Sequence, residues 1–503
     1  MSIRGAEFHA GAAQRFACRL RDCISLLAAL LDRPSADDKP LTLGAELEVQ
    51  LIDVAAQPAL AYEQVAARAG SPRVVPELTR YNLELNASPL PLAGRPFSRL
   101  AAELLSDLQQ LRTAGAEVGV RPVPIGILPT IRRADLSAAV LSTPPRFQAL
   151  NRALQAARGG PRRVCIEGPD RLDLLSNNMA IGGATAAFQV HLRVPIRDFV
   201  RAWNAALLAA PLVLAVSPNS PILLGHRLWQ ETRIPLIEQY TDDRPSQRSD
   251  LLRPPRALFG LGWLQRSPIE LYEEDLALFA PLLPETAATE HPQQPDTSLA
   301  PPLHELRLHN STIWRWNRPV YSNQGTGHLR LELRALPAGP SVPDMVAEAA
   351  FFVGLILGLV PEMKQLVSRT PFEQVRAGFY RAAQHGLAAE LPWPAPYGRF
   401  PQLEKAADLA LRVLPVARAG LLAGGVDTAE IDAWLALLRE RVERGLTGAM
   451  WQLGMLQRLG HRRTPRETLA RLVDEYTDHA NSSEPLTRWP AVTPPTRSSA
   501  HKR

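Results

Sequence analysis

The chain has only three cysteines in 503 residues, Cys18, Cys23 and Cys165. Three thiols cannot all pair and none shows zinc-site spacing, so a disulfide framework and a structural zinc module are both excluded. Buried or idle thiols in a reducing cytoplasm are the expectation. Also lacking is any Lys/Arg block interleaved with aromatics: the 56 Lys+Arg exceed the 50 Asp+Glu by a net +6 spread along the chain. That balance suits a small anionic ligand such as a nucleotide and gives no footprint for nucleic acid. Long apolar runs are missing too. The two longest, Trp203–Val216 and Ala347–Val360, fall short of the ~18–20 residues a membrane span needs. No membrane partner is expected, and both runs read as buried helices. The first ten residues lack a basic start followed by an apolar stretch, so no signal peptide is expected. No internal repeat is apparent.

What is present is a globular composition, 46% hydrophobic and 21% charged, long enough for several domains or one large single-sheet enzyme. The pattern divides it into an N-terminal helix and linker (1–40), a main domain (41–480) and a Ser/Pro/Thr-rich tail (481–503) expected to be disordered. Helical spacing of apolar residues predicts helices over Ala12–Leu31, Phe97–Ala114, Phe147–Arg158 and around Trp203–Val216, and a mostly helical stretch from Asp344 to Asp478. Glu285–Pro302 reads as an exposed connector.

Four segments alternate with period two. In Leu41–Asp53, Leu43, Ala45, Leu47, Val49 and Leu51 share one parity, while Gly44, Glu46, Glu48 and Gln50 share the other. This is a strand with one apolar face and two carboxylates on the opposite face. Tyr81–Asn86 repeats the pattern with Glu84, Thr185–Pro195 with Gln189 and His191, and Leu329–Leu336 with Arg330, Glu332 and Arg334. Glu77 lies seven residues before Glu84, an odd spacing that requires a bend or bulge near Thr79 if the two are to converge.

On one sheet, these strands would gather acids, an imidazole and guanidinium groups on a common face. Carboxylates with one imidazole and no thiolate suit a hard cation, Mg²⁺ or Mn²⁺, which is usually shared with substrate phosphates. Arg334 and Arg318 bring the fork geometry that fits phosphoryl oxygens. The chemistry read from the residues is phosphoryl transfer from a nucleotide. Plainer readings stand beside it. Glu332 between two arginines is also the pattern of a salt-bridge ladder. Trp314 and Trp316 are also what a core or an adenine-side wall contains.

Gly44-Ala45-Glu46-Leu47-Glu48, Glu84 in Leu-Glu-Leu-Asn, Gln189-Val190-His191, Asn317-Arg318-Pro319 and Leu331-Glu332-Leu333-Arg334 together resemble the type-2 glutamate–cysteine ligase (carboxylate–amine ligase) family. The resemblance runs in order from about Leu41 to Leu359. It implies an α+β, glutamine-synthetase-like fold: a curved, mainly antiparallel sheet with its polar concave face as the active site and helices on the other face. It further implies metal ligands Glu46, Glu48, Glu77, Glu84, His191 and Glu332. Arg334 and Arg318 would be the catalytic, ATP-phosphate-binding arginines, Gln189 part of the nucleotide site, and Arg233 the binder of a substrate carboxylate. The implied reaction uses ATP to make an acyl phosphate on an amino-acid carboxylate (glutamate by default), which an amine (cysteine by default) attacks to give an amide. The family usually has histidine where Gln189 stands. A different amine or peptide acceptor, a non-catalytic binding role and a homo-oligomer all remain open at this point.

Overall fold

The computed structural model describes residues 11–33, 40–245, 253–287, 300–394, 401–460 and 464–492. One strongly curled antiparallel sheet organises them. Its strands are β1 (Thr42–Ile52), β2 (Val74–Pro76), β3 (Asn82–Asn86), β4 (Leu90–Pro91), β5 (Arg121–Val123), β6 (Phe188–Arg193), β7 (Asn317–Ser322) and β8 (His328–Leu333). The order is β7-β8-β6-β1-β3-β2, with β4 and β5 pairing to the two ends of β1. All four alternating segments therefore lie side by side in this sheet.

Alternation does the sorting. Leu43, Ala45, Leu47, Val49 and Leu51 of β1 are buried, as are Leu83 and Leu85 of β3, Val190 and Leu192 of β6, and Leu331 and Leu333 of β8. Helices α2 (Pro96–Ala116), α3 (Ile196–Val216) and α4 (Val342–Leu359) pack on the sheet, and α1 (Ala12–Leu31) and α5 (Ala406–Ala423), the latter against α4, join the same core. The two apolar runs became longer helices than the sequence suggested. Ile196–Val216 and Val342–Arg369 are long and apolar enough to cross a membrane, yet each is mostly buried inside the protein. Burial on all sides explains their uniform hydrophobicity. Close approach fixes one contact: a Cβ on Gly420 of α5 would lie 2.1 Å from the Gly354 carbonyl of α4, so these two helices pack backbone to backbone.

One element carried no sequence expectation and one expectation needs correction. Arg162–Glu167 and Arg171–Ser176, to which the sequence pattern assigned no element, form a β-hairpin. The tail is not disordered from residue 481: Leu486–Arg488 is a 3₁₀ turn, and Trp489 is buried edge-on against Trp451 at 5.1 Å between ring centres. Two large apolar anchors outweigh a Ser/Pro/Thr-rich composition. Most of the 285–302 connector and residues 493–503 lie outside the described residues.

Candidate active site

Register brings the polar residues together. In antiparallel pairing, partners share a face. Glu46 lies opposite Gln189 and Asn86, Glu48 opposite Glu84, His191 opposite Gly44 and Glu332, and Glu332 opposite Arg318. The bend that the odd spacing of Glu77 and Glu84 required is present: the chain bends at Leu78 and turns at Arg80–Tyr81. Val75 of β2 pairs with Glu84, so Glu77, two residues on, falls on the face of Glu84 from a neighbouring strand.

The six predicted metal ligands form two triads, Glu46/His191/Glu332 and Glu48/Glu77/Glu84, with candidate ligand atoms in each within 4.8 Å of one another. Burial pushes the Glu48 carboxyl up to about 8, with Glu77 beside it adding to the effect. Burial raises Glu77 as well. Glu84 is raised well above its ordinary value, by burial and then by repulsion from Glu46, Glu77 and Glu48. Three half-buried acids, all raised, are the donor set a hard cation relieves. The other triad is compensated by protein charges. Burial works against ionisation of Glu46, but His191 more than offsets it and holds the carboxyl below its usual range. Burial likewise opposes Glu332, and Arg318 and Arg334 hold it well below. Arg318 donates to Glu332 through Nε and Nη2 at 2.5 and 2.8 Å, and Arg334 through Nη1 at 3.2 Å. His191 Nε2 faces Glu46 Oε1 at 3.0 Å, while Nδ1 accepts from Arg330 Nε at 2.9 Å. A metal at Nε2 therefore requires the ring proton to move to Nδ1 and the Arg330 contact to be released.

Two cavities flank the triads. The outer one, about 590 Å³, is lined by Glu46, His191, Glu332, Arg318 and Arg330, a size and charge suited to a nucleotide. The inner one, about 130 Å³, is lined by Glu48, Glu77, Arg233, Arg334 and the indoles of Trp314 and Trp316. Arg233 is fully buried. Its Nε donates to Glu231 at 2.7 Å and Nη2 to the Ala335 carbonyl at 2.7 Å, while Nη1 has no partner. A fixed guanidinium with a free donor at a cavity wall has the geometry to accept an anionic oxygen. Gln189 has both amide atoms engaged: Nε2 donates to Glu48 Oε1 at 2.9 Å, and Oε1 accepts from Arg334. It therefore couples the inner triad to a cavity arginine. Arg227, six residues before Arg233, is paired with Asp170 on the surface and lines neither cavity.

Residues without a sequence signal also surround the inner cavity, among them Arg146 and Tyr240. Behind Trp316 sits Glu238, accepting from Trp316 Nε1 and Tyr380 Oη at 3.0 Å each. Burial pushes its carboxyl up to about 7 despite those bonds. The folded state thus binds a proton that the unfolded state has released, and stability falls as pH rises from the ordinary carboxylate range through about 7. Glu238→Gln should remove that slope. Denaturant melts from pH 5 to 8 should show the wild type losing up to ~3 kcal/mol relative to the variant. Parallel curves would refute the assignment.

The sequence matches the glutamate-cysteine ligase family 2 (GCS2) over residues 42–475. No curated protein matches significantly. Among solved structures, a glutamate–cysteine ligase (gshA) from Francisella tularensis in complex with AMP superposes with a TM-score of 0.54 at 12% identity, covering 88% of this chain and 89% of that one. A bifunctional glutathione synthetase from Pasteurella multocida gives 0.46 at 13% identity; 92% of this chain aligns, over only 55% of that protein's length. At such identities the structural likeness speaks to the fold, and it is the match over most of the chain that fixes the family. The chain belongs to the glutamate-cysteine ligase family 2, and so to the ATP-dependent carboxylate–amine ligases.

Proposed function

We propose that the chain binds ATP in the outer cavity and an amino-acid carboxylate in the inner one, and joins that carboxylate to an amine. Glutamate and cysteine, giving a γ-glutamyl amide, are the default pair. The observation that carries this reading is the placement of two ligand triads side by side on one sheet face, with a cavity against each. Glu46, His191 and Glu332 would hold one Mg²⁺ or Mn²⁺ ion, and Glu48, Glu77 and Glu84 another. Such ions, when bound, neutralise phosphoryl oxygens. The chain's own groups do the remainder. Arg318 and Arg334 bind phosphate from the wall of the sheet, Arg233 Nη1 takes a substrate carboxylate, and Gln189 keeps Glu48 and Arg334 in mutual register. Rate comes from positioning and charge neutralisation, with no covalent enzyme intermediate. Trp314 and Trp316 at the inner cavity support a second reading, the same ATP chemistry with a different amine or a peptide.

ADP release on mixing the protein with ATP, Mg²⁺ and a panel of carboxylates and amines tests both readings. Release should require the metal and a carboxylate–amine pair, and mass spectrometry of the product names the pair. No release with any pair would sink the ligase reading. Metal alone should also stabilise the protein. Mg²⁺ should raise the melting temperature more at pH 8.5 than at pH 6, because the inner carboxyls, with Glu48 near 8, must give up protons to bind it. An equal or reversed increment would argue against metal at this triad.

A further inference from the structure

The inner cavity holds one more cation, which none of the roles above uses. Arg146 stands in the first turn of the helix Pro145–Arg158 and lines that cavity with Glu48, Glu77 and Arg334. Its Nε is shielded from solvent without a hydrogen-bond partner. Every other arginine of the site has a carboxylate of its own or a fixed acceptor: Arg318 and Arg334 share Glu332, Arg233 has Glu231, and Arg330 donates to His191. Among the described residues, Arg146 makes no ion pair within 4.0 Å. Burial is the largest influence on its charge; after it come Glu77, Arg318 and Glu84. Glu77 and Glu84 belong to the inner triad, and Arg318 holds Glu332 of the outer one. Arg146 therefore stands in the wall of the inner cavity, beside Glu77 and within electrostatic reach of both triads.

A partly dry guanidinium without a counter-ion is costly, and an arriving anion removes the cost. In the inner cavity, beside Glu48, Glu77 and Arg334, an anion bearing phosphoryl oxygens would supply that partner. We propose that Arg146 is a further catalytic residue, contacting the phosphoryl group as it moves from ATP to the substrate carboxylate and holding the acyl phosphate that results. This rests on the ligase reading above. In that step a carboxylate oxygen bonds to the γ-phosphorus while the bond from that phosphorus to the β–γ bridging oxygen breaks, and ADP leaves with the electron pair. The amine nitrogen then bonds to the acyl carbon, the carbon–oxygen bond to phosphate breaks, inorganic phosphate departs, and the amine proton goes to solvent. Negative charge gathers on the equatorial phosphoryl oxygens during the first transfer, and a planar fork of donors suits those oxygens. The competing role is an anchor for the substrate carboxylate. An anchor binds ground and transition states alike and shows in KM; a contact made during transfer shows in kcat.

Arg146→Gln and Arg146→Lys in the full chain separate these roles. Arg146 is only partly buried, so both variants should fold, which thermal melts check. With the best wild-type substrate pair, Arg146→Gln should lower kcat by ~10²–10³-fold, leave KM for ATP and the carboxylate within about threefold, and be partly rescued by Arg146→Lys. A second readout needs no turnover: Mg²⁺–ADP–fluoroaluminate, followed by the fluorescence of Trp314 and Trp316, should dissociate at least ~10-fold faster from Arg146→Gln, with ADP affinity unchanged. A raised KM for the carboxylate at unchanged kcat makes Arg146 an anchor and overturns the proposal, as do wild-type values throughout. Should the wild type release no ADP with any pair yet lose the fluoroaluminate complex in Arg146→Gln, the ligase reading fails and the phosphoryl contact stands.

Discussion

Glu332→Gln should reduce ATP-dependent ADP release by ~10³-fold or more, the largest loss expected from any single conservative change in the site. Three demands meet in this one carboxylate. It accepts two bonds from Arg318 and one from Arg334, and lies 4.0 Å from His191 Nε2 as a member of the outer triad. Glutamine keeps the shape and one acceptor oxygen but removes the charge. A cation then loses a ligand, and Arg318 and Arg334 are left with no carboxylate between them. The surface-ladder reading of Arg330, Glu332 and Arg334 predicts almost no effect, since exposed pairs contribute about 0–1 kcal/mol. Burial decides against it: Glu332 is 1% exposed. Breaking a buried pair costs about 3–5 kcal/mol, and the retained amide oxygen should keep the loss toward the lower end. Circular dichroism and melting separate that cost from catalysis. A folded Glu332→Gln protein with activity within tenfold of wild type would refute the site as drawn.

The parts of this site legible in the sequence were those written in strand alternation. Glu46, Glu48, Glu84, His191 and Glu332 each sit on the polar parity of a strand whose other parity is core, so period two placed each on the polar face of its own strand. Strand order was not legible, because nothing in β6 says that β1 and β8 lie on either side of it; the resemblance implied a common antiparallel sheet without its order. The odd spacing of Glu77 and Glu84 announced the bend between them, but not that Glu77 reaches that face from a neighbouring strand. The hairpin Arg162–Ser176 was missed although Val164, Ile166, Leu172 and Leu174 alternate correctly around Gly168-Pro169-Asp170; nearby prolines and arginines masked the pattern. Arg146 was invisible for a different reason. Its helix carries no motif, and what marks it out, a missing counter-ion, exists only in three dimensions.

Arg441→Met should cost about 3–5 kcal/mol of stability, and should do so without changing KM for either substrate. Arg441 lies on the helix Thr428–Glu443, within the stretch the sequence marked as mostly helical, and is 1% exposed. Its Nη1 donates to Asp344 at 3.1 Å, and its Nη2 donates to Glu348 at 2.5 Å and to the Val216 carbonyl at 2.6 Å. Asp344 in turn accepts from the Leu486 backbone at 2.8 Å. One guanidinium therefore joins α3, α4, the C-terminal helices and the 3₁₀ turn that precedes Trp489. Methionine fills much of the volume but leaves two fully buried acids without their cation, and burial already pushes Glu348 up to about 8. The melting temperature should fall by on the order of 5–10 °C. The control is Arg418→Met, at an exposed pair with Asp432, where the melting temperature should stay at the wild-type value because solvent screens the pair. Adding Asp344→Asn and Glu348→Gln to Arg441→Met should recover part of the loss, since the penalty comes from stranded charge and not from lost packing. If the triple variant is no more stable than Arg441→Met, the helices are held by apolar packing alone, and the buried charges are incidental to how the C-terminal region supports the sheet.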